Sequence, residues 1–143
     1  MNQLDEFYMW SGVILKLTYR VFPLKQSIKK DDICTQTPES LFNRYKVEIS
    51  QPVFEPTLNW LKDEGFIRWD SLHHGNDEYI VHGSIVTAKA LHYLGPYGPV
   101  DEKTFDEMVT ADFIELGKNV VGKHIENIAT ANPIPAQIIL SSD

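Results

Sequence analysis

The sequence is short of cysteine, of long apolar runs and of basic residues near its start. Its single cysteine, Cys34, excludes an internal disulfide and is typical of proteins in a reducing compartment. No apolar stretch approaches the ~20 residues that a helix needs to cross a bilayer, so we expect no membrane association. The opening MNQLDEFYMW has two acids and no base, unlike a secretory signal. These absences predict a cytoplasmic protein with one domain, or one domain and an appendage, in 143 residues.

Positive charge is also scarce along the whole chain. Thirteen lysines and arginines stand against twenty acids, which gives a net charge of −7. Because contacts to phosphates supply much of the affinity of proteins for DNA, this balance argues against nucleic acid unless a local surface is basic. The densest basic group is Lys25, Lys29 and Lys30, in the charged connector LKQSIKKDD. That group is either a solvated loop or a set of phosphate contacts.

The motifs of common enzymes and cofactor sites are missing. The chain has no nucleophile elbow, no phosphate-cradling glycine loop and no dinucleotide fingerprint. The adjacent His73 and His74 cannot easily share one metal ion, and no HxxxH pattern accompanies them. Cys34 is interpreted as a small core residue rather than a reactive thiol, since no histidine or base stands beside it. We therefore expect no enzyme, no cofactor and no metal site. A small hydrolase or ligand sensor is the weaker alternative.

Apolar spacing and capping residues predict three helices in the first 65 residues. Residues 3–22 place apolar side chains at three- and four-residue steps, which is one helical face. The Thr-Pro-Glu at 37–39 is a typical helix start and predicts a helix over 38–45. Because a proline inside a helix removes a hydrogen bond, the third helix is expected to begin at Pro56. Gly65 suits the residue just after its last turn.

A hairpin is predicted after this third helix. Segments 66–72 and 78–85 are rich in aromatic and β-branched residues, as strands are. The segment between them, HHGND at 73–77, is expected to be a polar loop, since glycine and asparagine tolerate positive φ. Thr87 can then cap a helix over 88–94. The sequence therefore predicts two antiparallel strands closed by a capped helix.

The last third of the chain has an apolar stripe at helical spacing over 102–131. Gly117 and Gly122 weaken such a helix by about 1 kcal/mol each relative to alanine, so a break or close packing there is the alternative to a continuous helix. The predicted fold class is mainly α with a small antiparallel β-ribbon. We expect a domain over 1–95 and a C-terminal helical extension over 100–143.

Two segments carry a resemblance to a known superfamily. TLNWLKDEGFIRW, from Thr57, resembles a recognition helix that leads through a glycine into the first strand of a wing. GSIVTAKALHYLG, from Gly83, resembles the return strand that runs into a threonine-capped helix. In this order and spacing, residues 3–95 resemble the winged helix-turn-helix superfamily. The resemblance implies a winged-helix fold that binds duplex DNA, with the third helix in the major groove and the 73–77 loop on the backbone or minor groove.

The resemblance also implies which residues would contact DNA. In multiple-antibiotic-resistance-type and phenolic-acid-type repressors, terminal helices outside such a domain form a dimer, and by analogy the 102–131 helix has that role here. We therefore expect a dimeric transcriptional regulator whose partners are double-stranded DNA and a second copy of itself. The implied DNA contacts lie on the third helix and its entry, before it, and in the wing: Gln51, Thr57, Asn59 and Lys62; Arg44, Tyr45 and Lys46; Arg68, His73 and His74.

Acids on the third helix keep a second function open. Glu55, Asp63 and Glu64 lie on or beside the part expected to face DNA, and Lys62 is the base among them. Because a surface that reads DNA normally has more positive charge, a winged-helix module that binds a protein partner, without DNA, is the alternative.

Overall fold

The computed structural model describes residues 2–29, 53–75, 78–95 and 107–131. The helix predicted at 38–45 lies outside the described residues. Within them, α-helices combine with a four-stranded antiparallel sheet, which confirms the predicted combination of helices with a small antiparallel sheet. Four predicted DNA contacts and the cysteine also lie outside: Arg44, Tyr45, Lys46, Gln51 and Cys34.

The first helix, α1, spans Gln3–Tyr19. Asn2 caps it, because its Oδ1 accepts a hydrogen bond from the backbone N–H of Asp5 at 2.8 Å. The predicted end at residue 22 is too late, since residues 20–23 form a turn. Every residue from 9 to 18 is buried, so the remainder of the core surrounds α1 on more than one side.

A strand, β1, spans Gln26–Lys29, where the sequence predicted a charged connector. That prediction is wrong for these four residues, because Ile28 is buried while Ser27 and Lys29 point to solvent, as in a half-buried strand. Just before the strand, Lys25 pairs with Asp70, and its Nζ lies 3.1 Å from both carboxylate oxygens.

The second described helix, α2, spans Phe54–Asp63 and begins two residues before the predicted start. Pro56 is tolerated because it lies in the first turn, where a backbone N–H has no partner within the helix. At the other end, Gly65 has a φ of 80° and its N–H donates to the carbonyl of Lys62 at 3.0 Å. The N–H of Phe66 donates to the carbonyl of Leu61 at 2.8 Å, so the predicted glycine stop is confirmed as a Schellman motif.

The predicted hairpin is confirmed. Strands β2, Ile67–Arg68, and β3, Ser71–Gly75, both pair antiparallel with β4, Glu78–Val86. Both short strands pair with β4 in the same register, and the strand is interrupted only at Trp69–Asp70. The loop predicted over 73–77 is too long, because β3 extends to Gly75, which pairs with Glu78.

The opposite edge of β4 pairs with β1, so the sheet order is β1–β4–β2 with β3 also on β4. Ile28 is opposite Val81, and both side chains are buried. Gln26 is opposite Ser84, whose hydroxyl donates to the Gln26 carbonyl. The central strand β4 therefore joins a segment near the start of the chain to the hairpin.

Helix α3 spans Ala88–Leu94, as predicted. Thr87 caps it by accepting a hydrogen bond from the N–H of Ala90 at 3.2 Å. The same hydroxyl donates to the carbonyl of Gly65, and Thr87 N–H donates to the carbonyl of Phe66 at 3.1 Å. One threonine therefore starts α3 and fixes it to the end of α2.

Over the described residues 107–131, the predicted C-terminal helix is not one continuous α-helix. Helix α4 spans Thr110–Gly117, a π-helical turn covers Lys118–Gly122, and helix α5 covers Lys123–Ala131. The predicted start at residue 102 lies outside the described residues. The prediction of helix at 107–109 is wrong, because these residues are not α-helical and Asp112 accepts the backbone N–H of Val109 at 2.9 Å, as at a helix start. The chain is helical through both glycines, with a widened turn between them.

Two glycines allow α1 and α4 to cross closely in antiparallel directions. A Cβ placed on Gly12 would lie 2.8 Å from the carbonyl carbon of Phe113, and one on Gly117 would lie 2.7 Å from the carbonyl carbon of Tyr8. These separations are below any real carbon–carbon contact, so no larger residue fits without moving a helix. The close packing that the sequence left open at Gly117 is therefore confirmed, and Gly12 is its counterpart.

One hydrophobic cluster includes side chains from both halves of the described chain. It contains the middle of α1, the inner faces of α2 and the sheet, and the stripe of α4. Phe113 and Val120, from the stripe predicted to form a dimer, are fully buried in this cluster. Its largest fully buried members are Phe54, Phe66, Phe113, Met9, Ile14, Leu15, Leu17, Leu58, Leu61, Ile67 and Leu94.

Candidate functional site

Helix α2 has a core face and a solvent face. Phe54, Leu58 and Leu61 are fully buried, at the three- and four-residue steps of an amphipathic helix. Asn59 and Lys62 are exposed on the opposite side. Two of the predicted contacts therefore lie together on the free face of the predicted recognition helix.

Thr57 does not lie on that face, although the resemblance placed it among the DNA contacts. It is 1% exposed, and its hydroxyl donates to the carbonyl of Val53 at 2.5 Å. Thr57 therefore cannot reach a ligand outside the protein, and its hydroxyl serves the first turn of α2 instead. The sequence did not reveal this, because a threonine can face either way in a first turn.

Lys62 lies against the hairpin. Its Nζ is 4.6 Å from the ring centroid of Trp69, the residue that follows β2. Such a cation–π contact holds an exposed ammonium group in place and contributes roughly 0.5–1 kcal/mol. Arg68, the neighbour of Trp69, is also exposed, so two predicted contacts lie near the junction of α2 with the hairpin.

His73 and His74 lie in β3 rather than in a loop, and they project to opposite faces of the ribbon. The Nε2 of His73 is 3.7 Å from Oε2 of Glu78, across the end of the hairpin. The ring of His74 lies edge-on to Tyr79, with centroids 5.2 Å apart. The two histidines therefore cannot act as one group on the same ligand.

Tyr79 of β4 has polar neighbours on α2 and on β3. It is buried, and its ring packs edge-on against Phe54 at a centroid distance of 6.5 Å. Burial raises the pKa of Tyr79, and the carboxylate of Glu55 raises it further, while Asn59 lowers it. Asn59 of α2 and His74 of β3 are therefore neighbours of one side chain, beside a negative charge.

The basic group predicted from Lys25, Lys29 and Lys30 is divided in the structure. Lys25 forms the ion pair with Asp70, Lys29 is exposed on β1, and Lys30 lies outside the described residues. Gly83 makes this pair possible, because its φ is 69° and a Cβ there would lie 2.7 Å from the carboxyl carbon of Asp70. No pattern in the sequence pointed to this pairing, since the partners come from separate segments.

An open depression of about 400 Å³ lies elsewhere, at the π-helical turn. Tyr8, Lys118, Lys123 and Glu126 line it, together with Ile125. Within the described segments, no three or more histidine, cysteine or acidic side chains meet as a metal site would require. The side chains that line this depression carry charges of both signs.

Comparison with known proteins gives no relative. The sequence matches no family model, no curated protein and no solved structure. Among the helices that are described, none combines the length and apolar character needed to cross a bilayer. The case for a function therefore depends on the geometry of this chain.

Proposed function

We propose that this chain is a winged helix-turn-helix protein that binds double-stranded DNA and regulates transcription. The order of its described elements supports the proposal: α1 and β1 precede residues 30–52, α2 and a hairpin come after them, and β1 pairs antiparallel with the second hairpin strand, β4. This order sets α2 beside a two-stranded ribbon, as a recognition helix lies beside a wing. The observation that carries the proposal is the exposure of Asn59 and Lys62 on the face of α2 opposite the core.

In this proposal each exposed residue has a distinct part. With α2 in the major groove, the side-chain amide of Asn59 can donate to and accept from an adenine edge. Lys62 and Arg68 carry the positive charge for phosphates, and such contacts set the position of the protein without reading sequence. Outside the described residues, the remaining predicted contacts are Arg44, Tyr45, Lys46 and Gln51.

The acids beside these residues set the conditions under which binding would be observed. Asp63 is exposed next to Lys62, and Glu55 lies one turn before Asn59. With a net charge of −7, the protein gains affinity from only a few local cations. Binding to DNA should therefore be weak at moderate salt and fall steeply as salt rises.

The direct test is fluorescence anisotropy with labelled random duplexes at low and moderate salt. We expect binding at low salt that decreases linearly in log affinity against log salt. The charge reversal Lys62→Glu should weaken binding to every duplex and reduce the slope by about 1. Absence of binding by the wild-type protein at the lowest salt would refute the proposal.

A matched control separates a local contact from a change in net charge. Lys123→Glu alters the total charge by the same amount, on an exposed residue of α5. It should reduce affinity much less than Lys62→Glu, because only the latter removes a cation from the proposed interface. Equal losses from the two variants would show that α2 is not the contact surface.

A second function, binding to a protein partner without DNA, is favoured by the charges on α2. The free face of α2 presents Asp63 as well as Lys62, and the Lys62 ammonium is already held over Trp69. Mixed charge beside an aromatic ring suits a protein surface better than a row of phosphates. Asp63→Lys distinguishes the two, since it should strengthen binding to DNA if α2 enters the groove and leave it undetectable if α2 binds protein.

We also propose that the protein is a dimer, which the terminal helices would form. Much of the stripe predicted for this role is buried within one chain, but Ile125 and Ile128 of α5 are 42% and 43% exposed, and Leu4 of α1 is 57% exposed. These three side chains offer apolar area to a second copy.

A point variant tests the dimer better than truncation does. A chain cut at Gly95 would lose α4 and expose the core face of α1, so its behaviour would mix unfolding with dissociation. Ile128→Asp should instead halve the mass measured by light scattering and leave the fold intact. Wild-type protein with the mass of one chain at every concentration would disprove the dimer.

A further inference from the structure

His124 is the one buried residue between Lys123 and Thr130, in the last two described turns of the chain. It is 7% exposed, whereas its neighbours Lys123 and Ile125 are both exposed. Among residues 123–130, the imidazole of His124 is therefore the side chain that is enclosed by the remainder of the protein.

The imidazole of His124 packs between side chains of the hairpin and α3. Its ring lies edge-on to Phe66, with centroids 5.1 Å apart, and edge-on to Tyr93 at 5.6 Å. Nδ1 lies 3.3 Å from the hydroxyl of Tyr93, and that hydroxyl also accepts a hydrogen bond from the Asn127 amide at 3.0 Å. The contact therefore joins α5 to both α3 and the start of the hairpin.

The other ring nitrogen is buried and has no hydrogen-bond partner. Nε2 lies 3.7 Å from Oε1 of Glu64, the residue that follows α2, and this distance is too long for a hydrogen bond. Because the Tyr93 hydroxyl already accepts from Asn127, its own proton is available to donate to Nδ1. The neutral tautomer with its proton on Nε2 lets Nδ1 accept this hydrogen bond and leaves Nε2–H without one, and we assign it from the network.

Protonation would reverse the hydrogen bond between His124 and Tyr93. With protons on both nitrogens, Nδ1–H would have to donate to a Tyr93 hydroxyl that accepts from Asn127, and the hydroxyl proton would lose its acceptor. The charged groups that face the ring oppose each other: the Lys89 ammonium of α3 repels an imidazolium, and the Glu64 carboxylate attracts it. On its own helix the ring is flanked by the exposed Lys123 and, two residues on, Glu126.

We propose that His124 is a proton-sensitive latch, which holds α5 against α3 and the end of α2 when neutral and releases α5 when protonated. Burial lowers the pKa of His124 from 6.5, Lys89 lowers it further, and Glu64 raises it. Because the folded pKa is depressed, this contribution to stability is fully present above 6.5 and is lost as pH falls through the lower folded value. The proposal does not depend on DNA binding.

The test uses NMR on the full chain between pH 7.5 and 5.0. We expect the ring of His124 to titrate below 6.5, and the amide protection of α5 to fall over the same pH interval. Protection is corrected for intrinsic exchange and compared with that of α4 in the same spectra. His124→Phe identifies the ring, keeps an aromatic contact on Phe66, and should make the protection of α5 independent of pH in this range.

Two further variants keep the test decisive if His124→Phe disturbs packing. Tyr93→Phe removes the hydroxyl that protonation would disturb, so the titration of His124 should move upward. His82→Phe, at an exposed strand position, should leave the pH response of α5 like that of the wild type. A His124 ring that titrates at 6.5 or above, or a titration that leaves α5 protection unchanged, would overturn the proposal.

Discussion

The unit formed by α2, the hairpin and α3 differs from the crossing of α1 with α4 in how it is specified. In the first, a glycine stop, a two-strand register and a threonine cap follow each other within residues 54–94. In the second, Gly12 and Gly117 meet the backbone of a distant helix. The first unit depends on residues that are close in sequence, whereas the second depends on how closely two distant helices pack. Substitutions should therefore cost most in the crossing.

The largest effect is expected from Gly117→Ala. The added methyl group would overlap the backbone carbonyl of Tyr8, so α1 and α4 must separate. We expect a loss of about 3 kcal/mol in the free energy of unfolding, measured by urea titration, since overpacking typically costs about 1–3 kcal/mol and a contact with backbone atoms lies at the upper end. Gly122→Ala is the control, because its Cβ would make only an ordinary contact, 3.7 Å from the Tyr8 hydroxyl. Since alanine has the higher helix propensity, Gly122→Ala should not destabilise the protein, and similar losses from both variants would mean that the crossing is not the cause.

The next effect concerns the hairpin, where Gly83→Ala should cost about 2 kcal/mol. Part comes from a φ of 69°, which costs other residues roughly 1–2 kcal/mol, and part from displacement of Asp70. The double variant Gly83→Ala, Asp70→Ala should regain only the stability that is lost by displacing Asp70. Gly75→Ala, with no atom within 4 Å of its Cβ, should change unfolding by less than about 0.5 kcal/mol. A full recovery in the double variant would show that backbone strain contributes nothing.

A smaller effect is expected at the cap of α3. Thr87→Ala removes the acceptor of the Ala90 N–H and the donor to the Gly65 carbonyl. Loss of such a cap costs about 1 kcal/mol, which thermal unfolding would detect as a lower midpoint. Thr87→Ser keeps the hydroxyl and should stay close to the wild type. If serine and alanine destabilise equally, the methyl group rather than the cap is responsible.

The smallest effect is expected from Lys25→Ala. Its ion pair with Asp70 is 55% and 62% exposed, and exposed pairs contribute only about 0–1 kcal/mol. Urea titration should show a change below about 0.5 kcal/mol that shrinks further in high salt. A larger, salt-independent change would indicate that Lys25 holds β1 in place by packing.

The comparison also explains which predictions succeeded. The hairpin, the stop at Gly65 and the cap at Thr87 were predictable, because each depends on a few neighbouring residue types. The strand β1 was not, since Ile28 pairs with Val81, which is distant in the chain.

In the candidate site, too, features set by neighbouring residues were predictable and features set by distant residues were not. The exposure of Asn59 and Lys62 could be predicted from the helical period of α2, because their spacing from Leu58 and Leu61 sets the solvent face. The burial of Thr57 could not, and neither could the contact of Lys62 with Trp69. The neighbours of a side chain from other segments are absent from any local pattern.

By itself, the sequence determined the local elements from Phe54 to Leu94, since capping, glycine conformation and strand alternation are properties of residues near one another. The tertiary structure alone decided that α4 lies across α1 at two glycines and that His124 is enclosed beside Tyr93 and Glu64. The physical reason is that close packing and desolvation depend on atoms brought together from distant parts of the chain.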